Sequence, residues 1–268
     1  MKTALITGAT SGIGTATARA LAHMGFLSIL TGRSEGRGME LQRELRAGGQ
    51  DANYHRLDLA SLASVEQSAK ALAKRYPRID LVVANAGVGV GNGLTADGFE
   101  VHLGVNHLGH FALIGQLEPV LAPVPRIVVV SSEVHRRASD LSFDRFRRRS
   151  RIPFVIESYA RSKVSNILFA SELARRRPSW QVCSVHPGLT LTGIIPPYVR
   201  PFVRNRLLMP EQGADTVVWS STTNLVENRS GGYFARRTEI EPSELATDMT
   251  LARELWDRSQ GWTAAWKA

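Results

Sequence analysis

The sequence predicts a doubly wound α/β domain, a parallel β-sheet with helices on both faces. Three observations predict it. Apolar, β-prone runs alternate with helix-forming stretches along the whole chain, and no Pro/Gly/Ser-rich linker divides them. The runs starting near residues 26, 79, 125 and 181 are continuously apolar, as expected of parallel strands buried on both faces. A length of 268 residues, with 43% hydrophobic and 21% charged content, suits one domain (1–268) with a large core.

The elements follow in order. Thr3–Thr7 is a short apolar strand, and Gly8-Ala-Thr10-Ser11-Gly12-Ile13-Gly14 leads from it into a helix over Gly12–Met24. Strand, Gly-rich turn and helix form the context in which glycines bind a dinucleotide. Gly8 permits the tight turn, Gly12 lets the backbone approach a pyrophosphate, and Gly14 allows close helix–strand packing. The helix start adds free N–H groups and a dipole that favours phosphate. The spacing is G-x-x-x-G-x-G, which differs from both G-x-G-x-x-G and the phosphate loop ending in Gly-Lys-Ser/Thr.

A second strand, Phe26–Thr31, runs into Gly32-Arg33-Ser34 with no acidic residue at its tip. A carboxylate there would hold a ribose 2′-hydroxyl, whereas an Arg accommodates a 2′-phosphate. Arg33 has the planar fork for that contact, Ser34 and Arg37 stand ready to assist, and the cofactor expected is therefore NADP(H). A helix over Glu40–Ala47 precedes the strand Asn53–Leu57, and Asp58-Leu59 leads to a helix over Ser61–Arg75, with Ser61 as the better N-cap. Further strands are expected at Ile79–Ala84, Pro125–Ser131, Gln181–Val185 and Gly232–Phe234. Further helices are expected at Ala96–Leu121, Ile156–Arg177, Glu211–Ser221 and Ser243–Ser259. Ligands of such sheets bind beyond the carboxyl ends of the strands, and Gly8–Gly14, Arg33, Asp58, Asn85–Gly87, Ser132 and Pro187–Thr192 all fall there.

The chemistry is carried by Tyr159 and Lys163, four residues apart on a predicted helix and so one turn apart on one face. A free phenol, with a pKa near 10, is a poor acid or base at neutral pH. A neighbouring ammonium favours the phenolate and draws that pKa down toward the range of general acid–base catalysis.

Together these features resemble the short-chain dehydrogenase/reductase family, and the resemblance covers nearly the whole chain. Thr7–Gly14 is similar to its cofactor motif, Asn85-Ala86-Gly87 to its N-A-G motif, and Asn106 to its helix asparagine. Ser131-Ser132 ends the fifth strand, Tyr159-x-x-x-Lys163 matches the catalytic pair, and Pro187-Gly188 follows the sixth strand. Val105–Phe111, Val129–Arg136 and Ser162–Phe169 resemble in detail the branch of retinol dehydrogenases and WW-domain oxidoreductases. The resemblance implies a single Rossmann-type domain that interconverts an alcohol and a ketone or aldehyde. Tyr159 would be the general acid/base, Lys163 would lower its pKa and hold the nicotinamide ribose, and Ser132 would bond the substrate oxygen. Asn106 would position Lys163 through a water relay. Cofactor contacts would come from Gly8, Thr10, Ser11, Gly12, Ile13, Gly14, Arg33, Asp58, Leu59, Asn85, Ala86, Gly87, Tyr159, Lys163, Pro187, Gly188, Thr190 and Thr192. The family's substrate lid corresponds to 194–209, where Ile194, Ile195, Tyr198, Phe202 and Val203 suggest an apolar pocket for a lipophilic or aromatic small molecule. The family's two long helices commonly pair in two-fold dimers. Val164, Ile167, Leu168 and Phe169 supply an apolar face for such a homodimer.

Other classes find less support. Met1-Lys2 leads straight into the first strand, no apolar run approaches the roughly 20 residues of a bilayer span, and the single Cys183 forms no internal disulfide. A cytoplasmic setting without a membrane span is expected. His102, His107 and His110 lack a carboxylate to complete a metal site, so no metal is expected. Seven arginines lie between Arg136 and Arg151, but no nucleic-acid motif accompanies them, and the net charge of +9 permits a polyanion without indicating one. The alternatives left open are a catalytically silent NADP-binding scaffold or redox sensor, and a nucleic-acid-associated protein.

Overall fold

A computed structural model describes residues 1–150, 155–190 and 208–266. Eight strands form one sheet in the order β3-β2-β1-β4-β5-β6-β7-β8. They are β1 (Thr3–Thr7), β2 (Leu27–Gly32), β3 (Ala52–Arg56), β4 (Ile79–Ala84), β5 (Leu121–Val130), β6 (Gln181–His186), β7 (Tyr233–Ala235) and β8 (Thr238–Glu239). The first seven pair in parallel and β8 returns antiparallel to β7. The expected doubly wound sheet is thus present, and its strand order reverses between β1 and β4, where such sheets bind ligands.

The helices are α1 (Gly12–His23), α2 (Glu35–Ala47), α3 (Leu62–Arg75), α4 (Val101–Leu103), α5 (Gly109–Leu117), α6 (Val155–Arg176), α7 (Pro210–Thr222), α8 (Glu244–Thr247) and α9 (Met249–Thr263). A π-helical turn, Gly104–Leu108, joins α4 to α5. Two apolar clusters cover the sheet. Leu21, Leu41, Leu45 and Val217 pack α1, α2 and α7 on one face, while Leu72, Leu113, Leu168 and Leu255 pack α3, α5, α6 and α9 on the other.

Several boundaries differ from expectation for local reasons. The helix expected from Ala96 begins only at Val101, because the Glu100 carboxylate caps it by accepting the N–H groups of His102 and Leu103. It ends at Leu117 rather than Leu121, since Pro119 and Pro123 allow a short 3₁₀ turn and then β5. Helix α2 starts five residues early, at Glu35. Gly38 belongs inside it because a side chain there would collide with the Tyr54 ring. The expected helix Ser243–Ser259 is broken at Asp248, which caps α9 through Thr250 N–H and Leu251 N–H. The face on which a homodimer was expected is occupied within the chain. Val164, Ile167, Leu168 and Phe169 are at most 4% exposed, with Phe169 stacked on Trp256 of α9.

Candidate active site

The cofactor side is built around Thr7, the last residue of β1. Its hydroxyl oxygen accepts the N–H groups of Asn85 and Ala86, both at 2.9 Å, and Asn85 Nδ2 donates to the Thr7 carbonyl at 2.9 Å. The 85–87 loop is thereby clamped onto the β1–α1 turn. Gly8 sits at φ +68°, and a Cβ there would lie 2.9 Å from Ala86 Cα. A Cβ on Gly14 would overlap the Gly8 carbonyl oxygen. Thr15 Oγ1 donates to Ala9 O at 2.7 Å and closes the turn.

The start of α1 is left open. Ser11 is exposed and extended, and its side chain caps nothing. Among the described residues the N–H groups of Gly12, Ile13 and Gly14 have no acceptor. Unspent N–H groups at a helix start suit a pyrophosphate, so this chain fits a dinucleotide at that point. Ile13 itself is buried in the core.

The other predicted cofactor residues divide. Thr10 packs against Gly32, Arg33 is exposed beyond β2, and Arg37 Nε donates to Ser34 Oγ at 3.2 Å. Asp58 Oδ1 accepts the Ala60 N–H at 3.0 Å, while Ser61 caps α3 by accepting the Ser64 N–H at 3.3 Å. Leu59 is buried, with its side chain and its carbonyl oxygen both packed at the Gly109 position of α5. Pro187 and Gly188 follow β6, with Gly188 at φ +84°. Thr190 is buried, and its hydroxyl donates to Gly188 O at 3.3 Å. Thr192 and the lid residues Ile194, Ile195, Tyr198, Phe202 and Val203 lie outside the described residues.

The reacting side lies beside this turn. Helix α6 is tied to β5 by Ser131 Oγ, which donates to Lys163 O at 2.8 Å, and by Asn166 Nδ2, which donates to Val130 O at 3.0 Å. Lys163 is 2% exposed and its Nζ donates to Val130 O at 3.0 Å. Burial lowers its pKa to about 8. Nζ stands 5.5 Å from the centre of the Tyr159 ring. Tyr159 keeps a little exposed surface, yet the protein packed around it pushes the phenol up to about 12, and a hydrogen bond with Ser132 only partly opposes this. The shift is opposite to the sequence expectation, because desolvation outweighs the hydrogen bond that favours the phenolate.

Asn106 is wholly buried in the π-helical turn. Its Oδ1 accepts the Val88 N–H at 2.8 Å, and its Nδ2 donates to Val88 O and to Ser162 Oγ at 3.0 and 2.9 Å. Its side chain therefore links the 85–88 loop to α6 rather than touching Lys163. The two residues still converge, since a Cβ on Gly87 would lie 3.1 Å from Asn106 Oδ1 and 3.7 Å from Lys163 Nζ. Thr7, Ser162 and His110 also build this centre; each lies in a stretch that resembles the family (Thr7–Gly14, Ser162–Phe169 and Val105–Phe111), but the sequence assigns none of them a site role.

The three helix histidines go to different partners. His102 Nδ1 faces Glu100 Oε1 at 2.7 Å, His107 Nε2 faces Ser259 Oγ at 2.9 Å, and His110 Nε2 faces Thr7 Oγ1 at 2.8 Å. Among the described residues no group of three His, Cys, Asp or Glu side chains could hold a metal. None of the described helices is long and apolar enough to cross a membrane.

Known proteins share this fold and sequence pattern. Residues 2–142 match the family model described as short chain dehydrogenase. Human retinol dehydrogenase 14 is 38% identical over 97% of this chain and 85% of its own length. The WW domain-containing oxidoreductase of Drosophila melanogaster is 34% identical over 97% of this chain and 68% of its own. A short chain dehydrogenase from Burkholderia cenocepacia J2315, solved in complex with NADP, superposes with a TM-score of 0.70 at 26% identity, covering 87% of this chain and 95% of that one. The chain belongs to the short-chain dehydrogenase/reductase family of nucleotide-binding oxidoreductases.

Proposed function

We propose that this chain is an NADP(H)-dependent oxidoreductase that interconverts an alcohol and a ketone or aldehyde. The observation that carries the proposal is the convergence of Ser132, Tyr159 and Lys163 beside an uncapped helix start at the strand-order reversal. Gly8–Gly14, through the start of α1, would bind the pyrophosphate, with Thr10, Ser11, Ile13, Asp58, Leu59, Asn85–Gly87, Pro187, Gly188 and Thr190 around the rest. Arg33 would meet a 2′-phosphate, and no protein group competes for its guanidinium among the described residues. The NADP-bound Burkholderia relative supports that choice.

When bound, the cofactor supplies the hydride chemistry. The protein supplies placement and the proton. Ser132 donates a hydrogen bond to the substrate oxygen and stabilises charge developing there. Tyr159, held protonated by its surroundings, gives its proton to that oxygen in carbonyl reduction. Lys163, anchored on Val130 O, keeps two further N–H groups for the nicotinamide ribose and the phenol oxygen. Asn106 holds the 85–88 loop against α6 so that these groups stay in register.

A lipophilic or aromatic carbonyl is the expected substrate class, in keeping with a relative named for retinol. A panel of such aldehydes and ketones, followed by loss of NADPH absorbance, tests the reading. Turnover of at least one member is expected. Tight NADPH binding with no turnover across the panel would favour a silent scaffold instead.

A further inference from the structure

His110 is 1% exposed and lies between two parts of the site. Its Nδ1 is 3.0 Å from the Asn106 carbonyl oxygen, and its Nε2 is 2.8 Å from Thr7 Oγ1. A carbonyl oxygen only accepts, so Nδ1 carries the ring proton. Burial pushes the His110 pKa down to about 4; the bond to Asn106 opposes this and the Lys163 charge adds to it. The ring is therefore neutral at physiological pH, and Nε2 is an acceptor. Thr7 has one hydroxyl proton, and it goes to Nε2. Both Thr7 lone pairs then face the N–H groups of Asn85 and Ala86, each at 2.9 Å. With His110 absent, the same proton would turn to Val83 O, 3.3 Å away.

Every proton along Asn106–His110–Thr7–Asn85/Ala86 has one destination, and the chain joins three elements that meet at the site. These are the end of β1, the 85–88 loop and the π-helical turn. Asn106 sits within that turn, where the backbone bond runs to the fifth neighbour, from Gly109 N–H to Gly104 O. Its carbonyl is thus held from the side by a ring rather than only along the helix axis.

We propose that His110 is a positioning residue for the reaction, fixing the Asn106 carbonyl with one nitrogen and the Thr7 hydroxyl with the other. It thereby sets the distance between the Asn85–Gly87 loop and Lys163. The proposal rests on the oxidoreductase reading above. His110 touches neither substrate nor cofactor in this scheme, and acts through Asn106 and Thr7.

Three variants test it. His110→Phe keeps an aromatic ring and removes both polar ends. His110→Asn can place an amide donor near the Nδ1 position, and His110→Ala restores nothing. With a carbonyl that the unmodified protein reduces, the Phe and Ala variants should lose at least tenfold in kcat, with substrate KM within twofold. NADPH affinity by fluorescence titration should weaken at least threefold. The Asn variant should recover most of kcat. A purely structural histidine would lower Tm in all three and leave kcat per folded molecule and NADPH affinity unchanged, and that outcome overturns the inference. If the Phe variant does not fold, the Asn–Ala contrast decides on the same readouts. If the unmodified protein binds NADPH but reduces no carbonyl, the catalytic reading has failed, and the NADPH titration of the variants alone decides whether His110 positions the loop. If it does not bind NADPH, both fall together.

Discussion

The cofactor side and the reacting side of this site are built by different physics. The cofactor side is shaped by backbone. Gly8 and Gly14 are present because side chains there would collide with Ala86 and with the Gly8 carbonyl, and the start of α1 is left with N–H groups unspent. The reacting side is shaped by environment. Tyr159 and Lys163 have ordinary side chains, but burial drives the phenol up to about 12 and the ammonium down to about 8. Both shifts favour neutral forms, as expected when two titratable groups lose water together. A change on the first side should therefore appear in binding, and a change on the second in rate and pH dependence.

The sharpest way to separate the sides is Tyr159→Phe, which keeps the ring and removes the proton donor. Carbonyl reduction should fall by roughly 10²–10⁴-fold, while NADPH affinity, read by fluorescence titration, stays within about twofold. A normal rate in this variant would remove Tyr159 from the acid–base role.

Lys163→Met probes the same side through stability. Lys163 has a folded pKa of about 8 against 10.5 when unfolded. Below pH 8 both states hold the proton, and the fold bears the full cost of a buried ammonium. Between about 8 and 10.5 the unfolded chain binds more protons, so the unmodified protein gains stability as pH rises. The methionine variant lacks that gain. Its stability relative to the unmodified protein should therefore decline across this window by up to roughly 3 kcal/mol, measured by urea unfolding at several pH values. A difference independent of pH would show that Lys163 is not held with a depressed pKa.

On the cofactor side, Arg33→Ala should cost about 1.4 kcal/mol, or tenfold, in NADPH affinity and leave NADH affinity unchanged. Equal affinity of the unmodified protein for the two cofactors would refute the 2′-phosphate assignment. The smallest effect compares two helix starts. Ser61 caps α3 and Ser11 does not cap α1. Ser61→Ala should lower unfolding stability by about 1 kcal/mol without changing cofactor affinity, and Ser11→Ala should lower stability by much less. Equal losses would mean that Ser11 caps α1 in solution.

The contrast also explains what the sequence could reveal. Glycines required by a turn, and a Tyr and a Lys one helical turn apart, are local facts and stand in the chain as motifs. The sheet, its order of loops and the gathering of Gly8–Gly14, Asn85–Gly87 and Ser132 at one edge follow from the βα alternation. The sign of the Tyr159 shift is not local, because it depends on how much protein surrounds the ring. Nor is the fate of the α6 apolar face. Ile167 and Phe169 read as surface available to a second copy, and α9, which begins 80 residues after Phe169, lies across it. In the sequence His110 reads as a structural histidine or a metal ligand and nothing more, because its use depends on Thr7, a hundred and three residues earlier. The π-helical turn has no signature of its own in Gly104–Leu108.

The sheet is finished by a hairpin whose turn, Arg236–Arg237, adopts φ values of +50° and +60° without the Asn-Gly pair that usually eases such a turn. The strand it returns, β8, has only two residues, Thr238 and Glu239, and both are exposed. Arg229 pairs with Glu239, and Arg237 pairs with Asp215, so charge surrounds the last strand. Edges of this kind are poor templates for another chain's strand. Replacing Arg236-Arg237 by Asn-Gly would relieve the backbone but remove two charges from that border. The hairpin thus combines a strained turn with a charged border on the last strand, and a variant selected only for a higher melting temperature at this turn would be the one to watch for aggregation on storage.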